Sequence, residues 1–388
     1  MRLTLRLEFK MSVSSLAKST VVVIGGGYGG INVAKSLDDV ADVVLVEPKD
    51  AFVHNVAALR ALADPSWLPK IFFPYDGLLA RGRVVRDRAV KVEPGRVALA
   101  SGDEIEADYI VLATGSDYPF PAKSDVEATP AAHEKFRAAH AALEAASRVL
   151  LVGAGPVGIE LAGEINAVWP DKHVTLLDDA DDVLGARFRP DLKAEVRRQL
   201  TDIGVELLLS SPLRQGPPTA PGELGEFTAV TQAGVKVTAD IWFRCYGVSP
   251  VSDYLAGELG TARQGDGFVT VTPHLQVAGQ DRVFALGDVA AADHKMAGAA
   301  GRQAQVVVAN IRALIAGDAP LTEYEPSAPG IIVPIGPGGG SGQRPGIAEL
   351  VASEVVAQIK GRDMMVERFG AMFQPAGSAA PAGSAGHA

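Results

Sequence analysis

The sequence predicts an α/β protein built from two Rossmann-like units and a small C-terminal α+β portion. Three observations carry this prediction. A β-branched run, a glycine-rich turn and an amphipathic stretch follow one another from residue 20, and the same order of parts returns from residue 148. A further apolar run at 283–286 ends in Gly287-Asp288, far from either unit. This internal duplication indicates two strand–turn–helix units, with the chain returning to the first after the second.

Composition and charge narrow the class of protein. The 388 residues suffice for two or three domains, and 47% apolar with 21% charged residues is an ordinary globular balance. The net charge of −10 argues against a nucleic-acid partner. The single cysteine, Cys245, excludes a disulfide within the chain and a redox-active cysteine pair, and no metal site is expected. Because no apolar run reaches the roughly 18 residues of a spanning helix, the expected location is cytoplasmic.

The first glycine-rich turn has the pattern of a dinucleotide site. In such a turn the first glycine permits the sharp bend, the second lets the backbone approach a pyrophosphate, and the third lets helix and strand pack closely. The N-terminus of the following helix adds free N–H groups and a positive dipole, and an acid at the end of the next strand binds ribose hydroxyls. The predicted binding residues of this unit are Gly25, Gly27, Tyr28, Gly29, Gly30 and Glu47.

The second unit meets the same tests, with Asp178 in the ribose position. Asp178 and Asp179 would repel a 2′-phosphate, which favours NADH, whereas Arg187 and Arg189 downstream leave NADPH open. The predicted binding residues of this unit are Gly153, Gly155, Pro156, Val157, Gly158 and Asp178.

Two dinucleotide sites imply FAD in the first unit and NAD(P)H in the second. The predicted FAD-binding domain covers 18–124 and 268–317, and the NAD(P)H-binding domain, 125–267, is inserted into it. An acid at Asp288 binds the ribityl and phosphate region of the flavin. A long helix at 297–316 precedes a C-terminal domain, 318–374, and residues 1–17 and 375–388 are expected to be disordered.

Several segments together resemble one known family. They are VVVIGGGYGG, AFVHNVAALRA, ATGSDYPFP, GAGPVGIELAGEI, HLQVAGQDRVFALGD and KMAG. The chain resembles, from about residue 20 to 374, the ferroptosis-suppressor and apoptosis-inducing-factor-like (mitochondrion-associated) quinone oxidoreductases, which are related to type II NADH dehydrogenases. The resemblance implies hydride transfer from NAD(P)H to N5 of FAD, then transfer of two electrons to a ubiquinone- or menaquinone-type acceptor at a membrane surface.

Three catalytic residues are predicted, each with a structural alternative. Glu160 either orients the nicotinamide over the flavin, as the resemblance implies, or complements the dipole of its helix. Lys295 either places its charge near the flavin, beside backbone donors of Met296 and Ala297, or is a solvated lysine. His54 either donates a proton to the reduced quinone or is a core or capping histidine.

Other cofactor contacts are predicted around these residues. Asn55 lines the flavin or quinone cavity or caps a helix, and Gln303 and Gln305 face the same cavity or solvent. Cys245 is predicted to be a small core residue, so the electron acceptor must be external. The remaining predicted cofactor-binding residues are Arg60, Ala113, Thr114, Gly115, Gly247, Gly287 and Asp288.

The C-terminal domain is predicted to begin with a Pro/Gly-rich stretch that contains the apolar run 331–335, followed by helices near 347–359 and 364–373. Apolar and basic side chains mix in 359–373, so this segment either packs on the body or at a homodimer contact, or lies on the inner membrane face as a surface helix. Two alternative functions stay open: a reductase of an iron–sulfur protein such as a ferredoxin, and a redox-sensing protein whose partner interface responds to NADH and flavin.

Overall fold

The computed structural model describes residues 18–374, so the disorder predicted for 1–17 and 375–388 lies outside the described residues. The strands in chain order are β1 (Thr20–Ile24), β2 (Asp42–Val46), β3 (Ala51–Val53), β4 (Phe72–Pro74), β5 (Arg83–Val85), β6 (Ala89–Glu93), β7 (Arg96–Leu99), β8 (Glu104–Glu106), β9 (Tyr109–Leu112), β10 (Ser116–Asp117), β11 (Arg148–Val152), β12 (His173–Leu177), β13 (Glu206–Leu208), β14 (Phe227–Val230), β15 (Lys236–Ala239), β16 (Ile241–Arg244), β17 (Ser249–Pro250), β18 (Val283–Ala285), β19 (Ile331–Ile335) and β20 (Gly339–Gln343). The α-helices are α1 (Tyr28–Leu37), α2 (Ala58–Ala63), α3 (Leu68–Ile71), α4 (Thr129–Ala145), α5 (Pro156–Val168), α6 (Pro190–Asp202), α7 (Ala297–Ala316), α8 (Ser353–Val356) and α9 (Val366–Gly370).

The first sheet has the strand order β18-β9-β1-β2-β5, and its pairings are parallel. Successive side chains of a strand point to opposite faces. Val21 and Val23 of β1 therefore pack on the core that α1 and α7 share, whereas Val22 and Ile24 pack on the antiparallel sheet β6-β7-β8. Both faces are covered, which explains why β1 is a continuous β-branched run rather than an alternating one.

The second sheet repeats this plan with the order β13-β12-β11-β16, again parallel. Leu151 of β11 faces the core of α5 and α6, and Leu150 faces the hairpin β14–β15. The short pair β10–β17 connects the two units. Strand β18 then returns to the first sheet beside β9, so the first sheet is completed by chain on both sides of the second unit. The predicted α/β class with two Rossmann-like units is confirmed.

The C-terminal portion is a hairpin, β19–β20, followed by short helical segments. The hairpin packs closely on α5 at Gly163, where the absence of a side chain permits the contact. A Cβ at this position would lie 2.4 Å from the backbone nitrogen of Gly336. The helix predicted near 347–359 begins only at Ser353, since Val351 instead pairs with the hairpin by donating its N–H to Gly342. Within residues 18–374, no helix combines the length and apolar character needed to cross a bilayer.

Candidate active site

The first glycine loop has the geometry that a pyrophosphate requires. Gly25 has a φ of +102°, in the left-handed region that favours glycine. A Cβ on Gly30 would lie 1.8 Å from the carbonyl oxygen of Gly25, so the third glycine permits the close approach of helix and strand. Beside Gly27, in contrast, the described part of the chain places no heavy atom within 4 Å of a built Cβ. That open space at the start of α1 is where an anion fits.

The second glycine loop repeats this geometry. Gly153 has a φ of +113°, and a Cβ on Gly158 would lie 2.0 Å from the carbonyl oxygen of Gly153. The acid after the second strand braces each loop in the same way: Gly26 donates its N–H to Glu47 at 2.6 Å, and Ala154 donates its N–H to Asp178 at 2.5 Å. The duplication seen in the sequence therefore extends to the hydrogen bonds that hold each loop.

One cleft of about 1010 Å³ joins the two units. Its volume lies at the upper end of the usual range for small-molecule pockets, as a dinucleotide needs. The predicted residues that line it are Gly25, Gly27, Tyr28, Gly29, Glu47, Asn55, Ala113, Thr114, Gly115, Pro156, Val157, Glu160, Gly287, Asp288, Lys295, Met296 and Ala297. The predicted residues outside its lining are Gly30, His54, Arg60, Gly153, Gly155, Gly158, Asp178 and Gly247.

Two observations indicate that the cleft fits FAD. The side-chain oxygen of Asn55 is buried, lines the cleft and has no hydrogen-bond partner within residues 18–374, so it is available to a ligand donor. The open space beside Gly27 accepts the pyrophosphate. The first glycine loop, Glu47, Asn55 and Asp288 are the residues that would hold the group.

Lys123 belongs to the cleft although sequence reasoning missed it. Its ammonium group donates to a carboxylate oxygen of Asp288 at 3.2 Å and to the hydroxyl of Ser116 at 2.8 Å, and Ser116 donates to the same carboxylate at 2.6 Å. Gln303, predicted to face the cavity, accepts the N–H of Gly287 at 2.6 Å and is 1% exposed. Gln303 therefore braces the Gly287-Asp288 turn from behind.

Lys295 lines the cleft, but its ammonium group is held by its own loop. The Nζ atom donates to the carbonyl oxygens of Ala290 at 2.6 Å and Asp293 at 3.1 Å, and it lies 4.3 Å from the ring centre of Phe268. Burial lowers the pKa of Lys295. The backbone of Met296 and Ala297, where α7 begins, also lines the cleft and places a helix N-terminus there.

Glu160 forms a buried ion pair with Lys360 in the wall of the cleft. The Nζ atom of Lys360 donates to a carboxylate oxygen of Glu160 at 2.7 Å, and the two side chains are 15% and 9% exposed. Burial raises the pKa of Glu160, and the nearby charge of Lys360 opposes that shift. Sequence reasoning missed Lys360 because 200 residues separate the partners and no local motif marks it.

His54 lies behind the wall of the cleft rather than in it. Its side chain is fully buried, its Nε2–H donates to the carbonyl oxygen of Met364 at 2.7 Å, and Tyr28 donates its hydroxyl to Nδ1 at 3.0 Å. Met364 offers only an acceptor, so Nε2 carries a proton, and burial, which lowers the pKa of His54 to about 4, keeps the imidazole neutral at neutral pH. The role of direct proton donor to a quinone therefore finds no geometry here, and the core alternative describes the side chain.

Arg60 also lies behind the cleft wall, away from the predicted cofactor contact. Its guanidinium group is 5% exposed in relative area and pairs with Glu164 through Nε–Oε2 at 2.5 Å and Nη2–Oε1 at 2.7 Å. The same Nη2 atom donates to the carbonyl oxygen of Gly361 at 2.8 Å. The Nε and Nη2 atoms of Arg60 are thus engaged by Glu164 and Gly361, which lie outside the cleft lining.

We expect His54 to make stability depend on pH. Burial lowers the pKa of His54 from 6.5 to about 4, so the unfolded chain binds the extra proton more readily between these values. The stabilisation that comes from burying a neutral His54 is complete above pH 6.5 and is lost as the pH falls through 6.5 toward 4. We therefore expect this group to lower the free energy of unfolding of the wild type by about 2 kcal/mol between pH 7.5 and pH 5. Urea unfolding of the wild type and of His54→Gln at both pH values measures the difference. An equal effect of the substitution at both pH values would contradict this expectation.

The C-terminal segment packs on the body of the protein through its aromatic side chains. Phe373 stacks on Phe73, with ring centres 5.4 Å apart, and Phe369 lies 4.7 Å from the ring of His54. Phe369, Met372 and Phe373 thus join the core of the first unit. The structure shows Phe369, Met372 and Phe373 packing on the body, whereas Ile359 of the same segment is 44% exposed, and contact with a membrane stays a prediction.

Cys245 is a core residue and not a redox centre. It is 3% exposed, and burial raises the pKa of its thiol to about 12. A thiol with this pKa stays protonated and is a poor nucleophile. Cys245 is therefore not suited to accept electrons within the protein.

The paired glycine loops, the shared cleft and the buried ion pair define a flavin-dependent oxidoreductase that uses FAD and NAD(P)H. The model of the pyridine nucleotide-disulphide oxidoreductase family matches residues 19–310, and the chain belongs to this family. The ferroptosis suppressor protein 1 of Taeniopygia guttata is 34% identical, over 90% of this chain and 94% of that protein. The apoptosis-inducing factor homolog B of Dictyostelium discoideum is 28% identical, over 91% and 96%. The resemblance expected from the sequence is confirmed.

Two solved structures share the fold. The sulfide:quinone oxidoreductase of Aquifex aeolicus superposes with a TM-score of 0.72 at 19% identity, over 92% of this chain and 91% of that chain. A ferredoxin reductase from Rhodopseudomonas palustris gives a TM-score of 0.63 at 21% identity, over 79% of each chain. At these identities the likeness concerns the fold and leaves the electron acceptor open.

Proposed function

We propose that the protein is an NAD(P)H:quinone oxidoreductase. The observation that carries this proposal is the position of the Glu160–Lys360 pair in the wall of the cleft, which the starts of α5 and α7 also line. Apolar side chains of Val56, Leu59 and Val157 line the same cleft, which suits a planar apolar acceptor. The shared fold with a sulfide:quinone oxidoreductase is consistent with this acceptor.

The residues of the chain bind, orient and hold charge. Bound FAD supplies a two-electron relay between NAD(P)H and the acceptor. Glu160 accepts a hydrogen bond from Lys360, and the remainder of its carboxylate would orient a bound nicotinamide, while Lys360 places a cationic group in the same wall of the cleft. The N-terminus of α7 at Ala297 adds a positive dipole that favours negative charge in the cleft.

Anaerobic stopped-flow absorbance tests the acceptor. The holoprotein is reduced with NADH and then mixed with a short-chain ubiquinone or menaquinone analogue. Rapid loss and rapid return of the flavin absorbance support the proposal. Rapid loss without return on adding quinone refutes it and directs attention to a ferredoxin-type partner or to a sensing role. A second mixing experiment with a ferredoxin separates those two outcomes.

Asp178 is expected to set the preference for NADH over NADPH. Its carboxylate stands at the end of β12, and replacement by Asn removes the charge that repels a 2′-phosphate while keeping one oxygen for the N–H of Ala154. We expect Asp178→Asn to reduce the NADH:NADPH ratio of kcat/KM about tenfold or more. The reason is that Asp178 stands in the ribose position, and a hydrogen bond from a ribose hydroxyl to a charged carboxylate contributes about 1.5–3 kcal/mol. An exposed acid before the other end of β12 provides the matched control: Asp171→Asn should leave the ratio unchanged, and an equal change in both variants would refute the assignment.

A further inference from the structure

Two side chains from the first sixty residues hold the backbone of the C-terminal segment. We call residues 357–373 the C-terminal strap. Arg60 donates to the carbonyl oxygen of Gly361 at 2.8 Å, and His54 donates to that of Met364 at 2.7 Å. Arg60 and His54 are 5% and 0% exposed, so water does not compete for these bonds. Because the acceptors are backbone carbonyls, the bonds fix the path of the strap independently of its side chains.

The far end of the strap is held in the same manner. Lys35 of α1 donates from Nζ to the carbonyl oxygen of Met372, and Phe373 stacks on Phe73 with ring planes 9° apart. The strap is thereby attached to the first unit at both ends. Its beginning, at 357–361, is a π-helical turn, a local geometry that is found often at functional sites.

The attachment at Arg60 lies next to the ion pair of the cleft. Lys360 directly precedes Gly361, the residue whose carbonyl Arg60 holds. Glu160 and Glu164 stand one turn apart on the same face of α5, where the first pairs with Lys360 and the second with Arg60. The guanidinium group of Arg60 therefore connects Glu164 to the backbone at Gly361. Gly361 directly follows Lys360, which pairs with Glu160.

A lysine side chain has four rotatable bonds and no preferred direction, so its position depends on where its backbone is fixed. We propose that Arg60, together with Glu164, is a positioning residue: it holds the carbonyl oxygen of Gly361 and thereby sets Lys360 against Glu160 at the nicotinamide side of the cleft. The inference rests on the proposed function, because it assigns Lys360 and Glu160 to the step in which NADH reduces the flavin.

The test replaces the buried pair as a unit. Arg60→Met combined with Glu164→Met removes both charges with little change in volume, a type of replacement that folded proteins often tolerate, and it removes the bond to Gly361. We expect amide hydrogen exchange of residues 357–366 to become at least tenfold faster. We also expect the rate constant for flavin reduction at saturating NADH to fall about tenfold. In a Lys360→Met background the same double substitution should leave that rate constant unchanged.

Each result decides the proposal. Unchanged exchange in 357–366, or an equal tenfold loss in the Lys360→Met background, overturns it, since Arg60 would then act independently of Lys360. If the double variant does not fold, Arg60→Lys replaces it: a single ammonium retains a charge for Glu164 but lacks the fork that also reaches Gly361, so faster exchange is again expected. Because neither readout uses a quinone, failure of the quinone proposal leaves this test intact. If Lys360→Met alone reduces its flavin with the wild-type rate constant, the ion pair has no role in flavin reduction.

Discussion

Replacement of Gly30 by alanine should give a protein that does not retain FAD. The added Cβ would lie 1.8 Å from the carbonyl oxygen of Gly25, a backbone atom that cannot move without opening the first glycine loop. Overpacking of this kind costs about 3 kcal/mol, and its effect falls on the site of the pyrophosphate. We expect at least a hundredfold weaker FAD binding, measured by the flavin absorbance of the purified protein and by titration of the apoprotein.

A second glycine provides the control for this substitution. Gly301 also lies in a helix, α7, and no heavy atom of the described chain lies within 4 Å of a Cβ built there. Gly301→Ala should retain FAD and increase the free energy of unfolding by up to about 1 kcal/mol, since alanine is the better helix former. Full flavin content in Gly30→Ala would show that the loop adapts, and would refute the close-approach role of this glycine.

Glu160→Gln should slow the reduction of the flavin by NADH about a hundredfold while flavin content stays unchanged. Glutamine keeps the shape and one acceptor oxygen for Lys360, but it removes the negative charge from the buried pair. The loss of a charge that orients the nicotinamide would misplace it, and a misplacement of about 1 Å can reduce the rate about a hundredfold. Anaerobic single-turnover reduction at several NADH concentrations separates this loss from a change in NADH affinity.

The matched control neutralises a carboxylate away from the cleft. Glu134 lies exposed on α4 and is absent from the cleft lining. Glu134→Gln should reduce the flavin at the wild-type rate, because the two substitutions change the net charge equally. If Glu160→Gln also reacts at the wild-type rate, the carboxylate only supports the fold, and the helix-dipole interpretation of Glu160 prevails.

The sequence was sufficient for the elements that follow strong local rules. Strands β1 and β11 and helix α7 fall at the predicted residues, because continuous apolar runs and helical periodicity are set by neighbours in sequence. Strand β20 was missed: its residues, GGSGQ, have low strand propensity, and pairing with β19 determines their conformation. Tertiary pairing of Val351 likewise displaced the start of the predicted helix.

The predicted site divides in the same way. The residues of the glycine loops and of the Gly287-Asp288 turn could be placed because one short pattern specifies each. Lys360 and Lys123 could not, since their partners, Glu160 and Asp288, lie 200 and 165 positions away. His54 was predicted either to donate a proton to a quinone or to lie in the core, and Arg60 was predicted to contact the cofactor. Both side chains are buried outside the cleft lining, and nothing in a sequence shows which way a buried polar side chain turns.

The return of β18 to the first sheet determines the order in which the newly made chain can fold. Strand β18 pairs with β9, whose residue Ile110 precedes its partner Val283 by about 170 positions. At about 5–20 residues per second, a ribosome needs roughly 10–35 s to span that interval. During that interval one edge of β9 is unpaired, and the strands of the second sheet, β11, β12, β13 and β16, are all made before β18. The nicotinamide unit is therefore expected to mature first, and the flavin can be captured only near the end of synthesis.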